Sequence, residues 1–248
     1  MDEDFELKHF KLDITYWWFD ARKRIILDLI RKTSGNIYSK ILDVGCGGGI
    51  LIKFLKENGF KDIYGIDISS KAIKICKKRG IKNVFIDDCT KMKFDKNMFD
   101  IIIAGDILEH IKNEDIALNE FNRVLKKNGK LIVFVPAFNF LWSQHDELCH
   151  HYRRYSKYTL MNALKKANFK VERISFWNFM LFFPISLLKL SQHLFKNKNQ
   201  TKNQMYKTNR LVNNFLSYLL GLENWILRRV NFPFGLSLFA VARKINSS

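Results

Sequence analysis

The stretch ILDVGCGGGI, residues 41–50, runs from an apolar segment typical of a buried strand into a glycine-rich turn and then into a helical pattern. Glycine in such a turn lets the backbone approach a ligand that a Cβ atom would exclude, and the helix that follows offers free N–H groups. A dinucleotide-binding fingerprint would need a small residue at position 50, where Ile50 stands, and no Gly-Lys-Ser/Thr of a Walker loop follows. The turn predicts a ligand site of another kind, with a purely structural turn as the alternative.

Apolar runs alternate with amphipathic stretches around this turn, which predicts a parallel sheet covered by helices. Strands are expected at 40–44, 62–66, 83–86, 99–104, 130–135, 170–176 and 236–243. Helices are expected at 14–32, 50–58, 70–79, 115–127 and 157–167, the fourth of them stopped by Asn128-Gly129. The predicted fold class is α/β, a Rossmann-like doubly wound, mostly parallel sheet of seven strands with a C-terminal helical insertion. In such a sheet the ligand lies at the carboxyl ends of the strands.

The length of 248 residues with 47% hydrophobic residues predicts one domain with a full core. We divide this single domain, 1–248, into an N-terminal helical cap (1–37), a cofactor-binding core (38–136), a substrate-side segment (137–176), a hydrophobic and basic insertion (177–233) and a final strand and tail (234–248). The four cysteines form no CxxC pair, and the opening MDEDFELK is acidic, unlike a secretory leader. We therefore expect a cytoplasmic protein, with peripheral attachment to a membrane as an addition.

Acidic residues follow the predicted strands at the positions where a ligand would lie. Asp67 ends the second strand, Asp87 and Asp88 follow the third, and the fourth runs into GDILEH at 105–110. A carboxylate at the end of the second strand can accept both hydroxyls of a ribose. A helix cap is the ordinary alternative for each single acid.

These motifs together resemble the class I S-adenosylmethionine-dependent methyltransferases, including quinone-biosynthesis enzymes, over residues 38–136. The resemblance implies S-adenosylmethionine as the cofactor. It also implies cofactor contacts: the methionine end at Asp43, Gly45, Gly47 and Gly49, the ribose at Asp67, the adenine at Ile68, Asp88 and Cys89, and the floor near the sulfonium at Gly105 and Asp106. The chain departs from the family pattern where Asp87 replaces a common glycine.

A second, narrower resemblance covers LWSQHDELCHHYRRYSKYTL, residues 141–160, which is similar to a segment of methyltransferases associated with glycan or lipid pathways. Cys149 stands where that pattern has a glycine. If the acceptor must be deprotonated, His145 or His150 is the predicted base, because both follow the fifth strand. Arg153 and Arg154 could grip an anionic acceptor or serve the structure. No metal is expected here, because HDELCHH lacks the spacing of HExxH.

Charge is concentrated in the second half of the chain. Residues 1–124 hold 22 basic and 20 acidic side chains, and 125–248 hold 20 and 4, so net charges of +2 and +16 add up to the +18 of the chain. No acid occurs between Glu172 and Glu223, whereas the basic residues there include Lys189, Lys196, Lys198, Lys202, Lys207 and Arg210. This predicts an anionic partner, such as a phosphate-bearing acceptor, an anionic membrane surface or nucleic acid, or else a solvated basic surface.

The uncharged segment ISFWNFMLFFPISLL, residues 174–188, leads from the last predicted strand before the insertion into the insertion itself. It could be a lid over the acceptor, a segment in a membrane interface or a short membrane span. Farther on, an apolar stripe at helical spacing predicts core packing onto the sheet: Leu211, Phe215, Leu219, Leu222, Ile226 and Val230. A greasy or phosphate-bearing acceptor fits an apolar lid with a basic flank.

The sequence therefore predicts methyl transfer from S-adenosylmethionine to a small-molecule, lipid or lipid-linked glycan acceptor, by O-methylation. An RNA methyltransferase is the first alternative. It is disfavoured because GDIL replaces the Asn/Asp-Pro-Pro of amino-group enzymes and Ala137, not cysteine, follows Pro136. A cofactor-binding protein without catalysis, associated with a membrane, is the second alternative. The oligomeric state stays open.

Overall fold

The computed structural model describes residues 16–33, 36–194 and 209–245. The acidic opening, the first two residues of the predicted N-terminal helix and the lysines at 196, 198, 202 and 207 lie outside the described residues.

Strands and helices alternate through the described chain. The strands are β1 (Ile41–Val44), β2 (Ile63–Asp67), β3 (Val84–Ile86), β4 (Phe99–Gly105), β5 (Leu125–Pro136), β6 (Phe169–Trp177) and β7 (Ser237–Lys244). The helices are α1 (Trp17–Thr33), α2 (Ile50–Glu57), α3 (Ser70–Lys78), α4 (Glu114–Val124), α5 (Gln144–Leu148), α6 (Lys157–Lys166), α7 (Phe182–Leu194) and α8 (Arg210–Leu227).

The seven strands form one sheet in the order β3-β2-β1-β4-β5-β7-β6. Strands β1 to β5 are parallel, whereas β7 runs antiparallel to both β5 and β6. The predicted α/β class and the seven predicted strands are confirmed. Strand β1 pairs with β2 on one side and with β4 on the other, so the strand order reverses at β1. Such a reversal opens a crevice above the carboxyl ends of the strands.

The end of the helix before β5 differs from the prediction. Helix α4 ends at Val124, three residues early, because Leu125 already pairs with Phe99 across an irregular register. Asn128, at φ 62°, and Gly129 lie inside β5 rather than at a helix stop. Asn-Gly can end a helix or lie within a strand, and sequence alone does not separate these two cases.

Helix α8 packs against α1 at the other end of the chain. The side chain of Asn224 accepts the indole N–H of Trp177 at 2.9 Å and donates to the carbonyl of Ala21 at 2.9 Å. The backbone N–H of Trp17 donates to Asn213 at 3.0 Å. The insertion is thereby tied to both α1 and the end of β6.

The predicted core stripe on this helix is largely wrong. Leu219 and Ile226 pack against the core, but four members of the stripe are exposed: Leu211, Phe215, Leu222 and Val230. The buried face holds Leu220, Glu223, Asn224 and Leu227. Glu223 faces inward because its carboxylate accepts the N–H groups of Phe179 and Met180, each at 3.1 Å. These polar contacts, which a hydropathy pattern does not show, therefore place a different face of the helix against the core from the one that the apolar stripe predicts.

The uncharged segment at 174–188 is not one helix. Strand β6 continues to Trp177, Asn178 adopts φ 61°, and α7 begins at Phe182. Among the described residues no helix is long and apolar enough to cross a membrane. The membrane-span alternative for this segment therefore finds no support, and the lid and interface alternatives stay predictions.

Candidate cofactor and acceptor site

The glycine turn after β1 is closed by backbone bonds and tight packing. The N–H groups of Gly45 and Cys46 donate to the carbonyl of Ile66 at 2.8 and 2.9 Å, which fixes the turn against β2. Gly45 and Gly49 lie at φ 70° and 76°, the left-handed region that favours glycine. A Cβ atom at Gly45 would collide with the side chain of Ile107. The turn is thus structurally required, and it also brings bare backbone to the carboxyl edge of the sheet.

Asp67 orders this turn from the end of β2. Its carboxylate accepts the N–H of Gly47 at 2.9 Å and the N–H of Ser69 at 2.8 Å. The neighbouring Ile68 is 77% exposed, an unusual position for an aliphatic side chain beside a polar turn. Asp67 and Ile68 therefore place a fixed carboxylate beside an open apolar surface.

Asp43 lies buried at the end of β1 without a counter-charge. Burial raises its pKa well above the ordinary range, and Cys76 and Asp67 raise it further. In the part of the chain that the structure describes, no cationic side chain forms an ion pair with it. A cationic group bound here would stabilise the carboxylate form.

The two acids after β3 have different surroundings. Asp87 is buried and accepts the N–H groups of Asp88 at 3.1 Å and Lys93 at 2.9 Å, so it holds the loop. One Asp88 oxygen accepts the N–H and O–H of Thr90 at 2.8 and 2.7 Å. Burial raises the pKa of the Cys89 thiol to about 12, helped by Asp88, so this residue offers a neutral thiol.

The end of β4 carries an ion pair that the sequence did not predict. Asp106, at φ 55°, pairs with Arg22 of α1, 84 residues away in sequence. The guanidinium lies over the ring of Phe134 at 4.0 Å and near Trp18 and Trp177 at 4.8 and 5.1 Å. The sequence predicts a helix at 14–32 that includes Arg22, but nothing in the sequence links that helix to position 106.

A buried carboxyl continues this cluster. Glu109 is 1% exposed, and burial, then Asp106, raises its pKa well above the ordinary value. Burial lowers the pKa of Arg22, although Asp106 opposes that shift. Among the described residues, Glu109 Oε2 and Arg22 Nη1 have no hydrogen-bond partner. This cluster therefore contains buried polar atoms that no described residue satisfies.

Asp146 is the centre of the segment after β5. Its carboxylate accepts hydrogen bonds from Nδ1 of His151 at 2.9 Å and from two guanidinium nitrogens of Arg154 at 2.8 and 2.9 Å. It also accepts the N–H of Ser143 at 2.8 Å. Burial acts to raise its pKa, but the bonds from His151 and Arg154 outweigh burial and lower it below the ordinary value. Lys189 of α7 donates to the Ser143 hydroxyl at 3.1 Å, so the insertion is joined to this network.

The two predicted bases lie at the edge of the network. A ring nitrogen of His145 is 3.6 Å from Cys149 Sγ, and burial lowers the His145 pKa to about 4. His150 is exposed, at φ 56°. The histidine bonded to Asp146 is His151, which the sequence did not single out because three histidines in seven residues offer no local distinction.

Arg153 and Arg154 both serve the structure. Arg153 contacts Glu114 at 3.3 Å and donates to the carbonyl of Ile111 at 3.1 Å, while Arg154 Nη1 donates to the carbonyl of Ala137 at 3.0 Å. Both guanidinium groups are engaged within the fold, so the structural alternative of the prediction accounts for their contacts.

A group of three side chains could hold a metal ion. One ligand atom each from Glu109, His110 and His151 lies within 4.8 Å of the others. The rings of His110 and His151 meet edge to face at 4.6 Å. Burial, then His151, lowers the pKa of His110 to about 4, so its imidazole is neutral at pH 7. This group joins the end of β4 to the histidine segment, a combination that spacing within HDELCHH does not show.

Comparisons with known proteins bear on the same region. The family described as a methyltransferase domain matches residues 42–133. Ubiquinone biosynthesis O-methyltransferase of Pelagibacter ubique is 38% identical over 104 residues, which are 40% of this chain and 42% of that protein. An uncharacterized protein of Methanocaldococcus jannaschii is 30% identical over 161 residues, 62% of this chain and 76% of that protein. The chain belongs to the class I S-adenosylmethionine-dependent methyltransferases.

Relatives of this methyltransferase carry different acceptor names. Phosphoethanolamine N-methyltransferase 3 of Arabidopsis thaliana is 34% identical over 38% of this chain and 20% of its own length. The matched regions thus span less than half of the two relatives named for an acceptor. A methyltransferase of Archaeoglobus fulgidus shares the fold with a TM-score of 0.58 at 20% identity, over 90% of this chain and 92% of that one.

The residues at the carboxyl edge fit the family's cofactor, S-adenosylmethionine. No described cationic side chain pairs with the Asp43 carboxyl, and an ammonium group would supply that counter-charge. The glycine turn leaves bare backbone, and Ile68 offers an exposed apolar side chain beside Asp67. Charge, backbone and apolar surface therefore occur in the order that an amino acid joined to a nucleoside requires.

Proposed function

We propose that this chain transfers a methyl group from S-adenosylmethionine to a small-molecule, lipid or lipid-linked acceptor, by O-methylation. The observation that carries the proposal is the uncompensated buried carboxyl of Asp43 beside the glycine turn that Asp67 orders. The O-methyl assignment is supported by the relative named for ubiquinone biosynthesis. The N-methyltransferase relative makes nitrogen the alternative acceptor atom.

We assign the cofactor contacts residue by residue. The methionine end is held by Asp43, Gly45, Gly47 and Gly49, the ribose by Asp67, the adenine by Ile68, Asp88 and Cys89, and the sulfonium side by Gly105 and Asp106. Bound S-adenosylmethionine supplies an activated methyl group on a sulfonium. The chain's own task is to exclude water and to align the acceptor atom within about 3–3.5 Å of that group.

The proposed base remains His145 or His150. His145 is half-buried, and burial lowers its pKa to about 4, so the ring is neutral at pH 7 but is a weaker base than an ordinary histidine. His150 lies at the surface, so it could act only on an acceptor that approaches from that side. Loss of methyl transfer in His145→Asn, with binding of the cofactor retained, is the outcome that would assign the base.

An aromatic wall supports an apolar part of the acceptor. Arg22 is enclosed by Trp18, Phe134 and Trp177 next to Asp106. After β5, Phe138 stacks on Phe176 at 4.9 Å. Phe134 and Trp177 are fully buried, so the partly buried rings of Trp18 and Phe138 are the ones that a greasy acceptor with a polar head, such as a quinone precursor or a lipid-linked group, would meet.

Calorimetric titration of S-adenosylmethionine tests the cofactor site. Asp67→Ala should weaken binding by at least about tenfold, because the carboxylate orders the turn and meets the ribose. Asp95→Ala is the matched control, since Asp95 is an exposed acid away from the strand ends. Wild-type affinity in Asp67→Ala would overturn the cofactor assignment, and binding without transfer to any acceptor would favour a non-catalytic protein.

A further inference from the structure

The outward side of α8 carries an apolar stripe with no partner among the described residues. We call it the α8 outer face, and its members are Leu211, Phe215, Tyr218, Leu222 and Trp225. They are spaced four, three, four and three residues apart, so they share one side of the helix over about 21 Å. Their exposed fractions are 76, 62, 73, 40 and 54%. Single exposed apolar residues are ordinary, but a continuous stripe marks an interaction surface.

The exposed charges of α8 are basic. Glu223 is the sole acid of α8, and it is buried with its carboxylate bonded to backbone N–H groups. Arg210 begins the helix and Arg229 follows its end, whereas the neighbouring Arg228 is ion-paired with Asp28 of α1 at 2.9 Å. The Arg229 guanidinium lies 5.4 Å from the ring of Trp225. The face is therefore apolar along its length and basic at both ends, with no exposed acid on the helix.

We infer that the α8 outer face docks on an anionic lipid bilayer, with the helix lying in the interface plane. Apolar side chains would enter the acyl boundary, Tyr218 and Trp225 would occupy the headgroup level, and the terminal arginines would meet lipid phosphates. The absence of a spanning helix among the described residues agrees with this surface orientation.

A second copy of the chain fits the same face less well. The heptad-like spacing would suit a paired helix, but such pairs have opposite charges beside the seam. Here the flanking residues on α8 are uncharged, and two copies side by side would bring only arginines together at the helix ends. The charge pattern thus favours lipid.

This inference deepens the proposed function, because it rests on a lipid or lipid-linked acceptor that is met at the same surface. The face can nevertheless be tested without any acceptor. Lipid binding and S-adenosylmethionine binding are separate measurements, so failure of one leaves the other standing.

The experiment is co-sedimentation with phosphatidylcholine vesicles that contain or lack phosphatidylglycerol. The double variant Phe215→Ser/Leu222→Ser should lose at least about tenfold in vesicle affinity, because it removes two apolar side chains that would enter the bilayer. The matched control is Ile116→Ser/Tyr158→Ser, two residues on α4 and α6 that are 50 and 74% exposed. It should bind as the wild type does. Arg210→Gln/Arg229→Gln should lower binding to the anionic vesicles alone.

Folding and assembly are followed on the same samples. Equal thermal midpoints and equal calorimetric affinity for S-adenosylmethionine would show that the serine variants remain folded. The inference would be overturned if the wild-type protein does not bind anionic vesicles. It would also be overturned if the Phe215→Ser/Leu222→Ser variant binds them as tightly as the wild type does. A wild-type dimer in sedimentation equilibrium that this variant abolishes, without vesicle binding, would assign the face to a second copy instead.

Discussion

The cofactor edge of the sheet and the helical side formed by α1, α7 and α8 are built by different kinds of contact. At the cofactor edge the bonds that order the glycine turn are short-range: Asp67 accepts the N–H of Ser69, 2 positions away, and that of Gly47, 20 positions away on the turn after the neighbouring strand. On the helical side the decisive contacts join distant parts of the chain. Arg22 reaches Asp106 across 84 positions, and Asn224 reaches Ala21 across 203.

This difference separates what the two regions can do. The cofactor edge has its geometry fixed by left-handed glycines and strand ends, so it can be shared among relatives with different acceptors. The helical side holds the aromatic enclosure, the unsatisfied buried groups and the exposed α8 outer face. Under the proposed function, acceptor choice would depend on the helical side, whose contacts join distant parts of the chain.

The largest effect is expected at the cofactor edge from Gly45→Ala. The added Cβ would meet Ile107 in a left-handed backbone, so the free energy of unfolding should fall by about 2–4 kcal/mol. Gly80→Ala is the control, because Gly80 has φ 78° but no atom within 4 Å of an added Cβ. Urea denaturation of both variants separates the clash from the backbone cost. Equal losses would mean that Ile107 does not restrict the turn.

A smaller effect is expected on the helical side from Asn224→Ala. The change leaves the buried Trp177 indole N–H without its acceptor and removes the Asn224 bond to the Ala21 carbonyl, which should cost about 2 kcal/mol. Asn214→Ala, an exposed position on the same helix, should cost less than about 0.5 kcal/mol. Thermal unfolding provides the comparison. If Asn224→Ala matches its control, α8 is not held to α1 by this bond pair.

The smallest effect is a pH dependence at the segment between the two regions. The folded pKa of His145 is lowered to about 4, so the unfolded chain binds more protons between pH 4 and about 6.5. Stability should therefore fall as the pH drops through this window, by about 1 kcal/mol for this half-buried ring. His145→Asn should flatten the slope measured by urea denaturation, and His150→Asn, at an exposed position, should not. An unchanged slope in His145→Asn would contradict the burial of its ring.

The sequence was sufficient for most of the sheet because strand and helix periodicity are local. The same periodicity predicts that Asp67 and Asp106 lie at strand ends. Because the strands are parallel, both residues are expected at the same edge of the sheet. The sequence was insufficient where orientation depends on distant partners. The buried face of α8 is set by the bonds of Glu223 and Asn224, and hydropathy selected the wrong side.

The same limit applies within the site. The sequence predicts His145 or His150 as the base because both follow the fifth strand. In the structure the Asp146 carboxylate accepts hydrogen bonds from His151 and Arg154 instead. The sequence does not identify Arg22 as a site residue. An arginine in an amphipathic helix has the same local sequence pattern whether it faces solvent or pairs with a distant aspartate, as Arg22 does with Asp106. Burial and charge pairing are properties of the whole chain, so these roles appear only in three dimensions.

Transfer of label from methyl-labelled S-adenosylmethionine tests the central claim most directly. The protein is incubated with separate lipid, polyprenyl-phosphate and RNA extracts, beside Asp67→Ala as the cofactor-site variant and Asp95→Ala as its control. The account predicts alkali-stable label in a lipid or lipid-linked product, made by the wild type and Asp95→Ala and lost in Asp67→Ala. Label recovered in RNA, or equal label with Asp67→Ala, would contradict it.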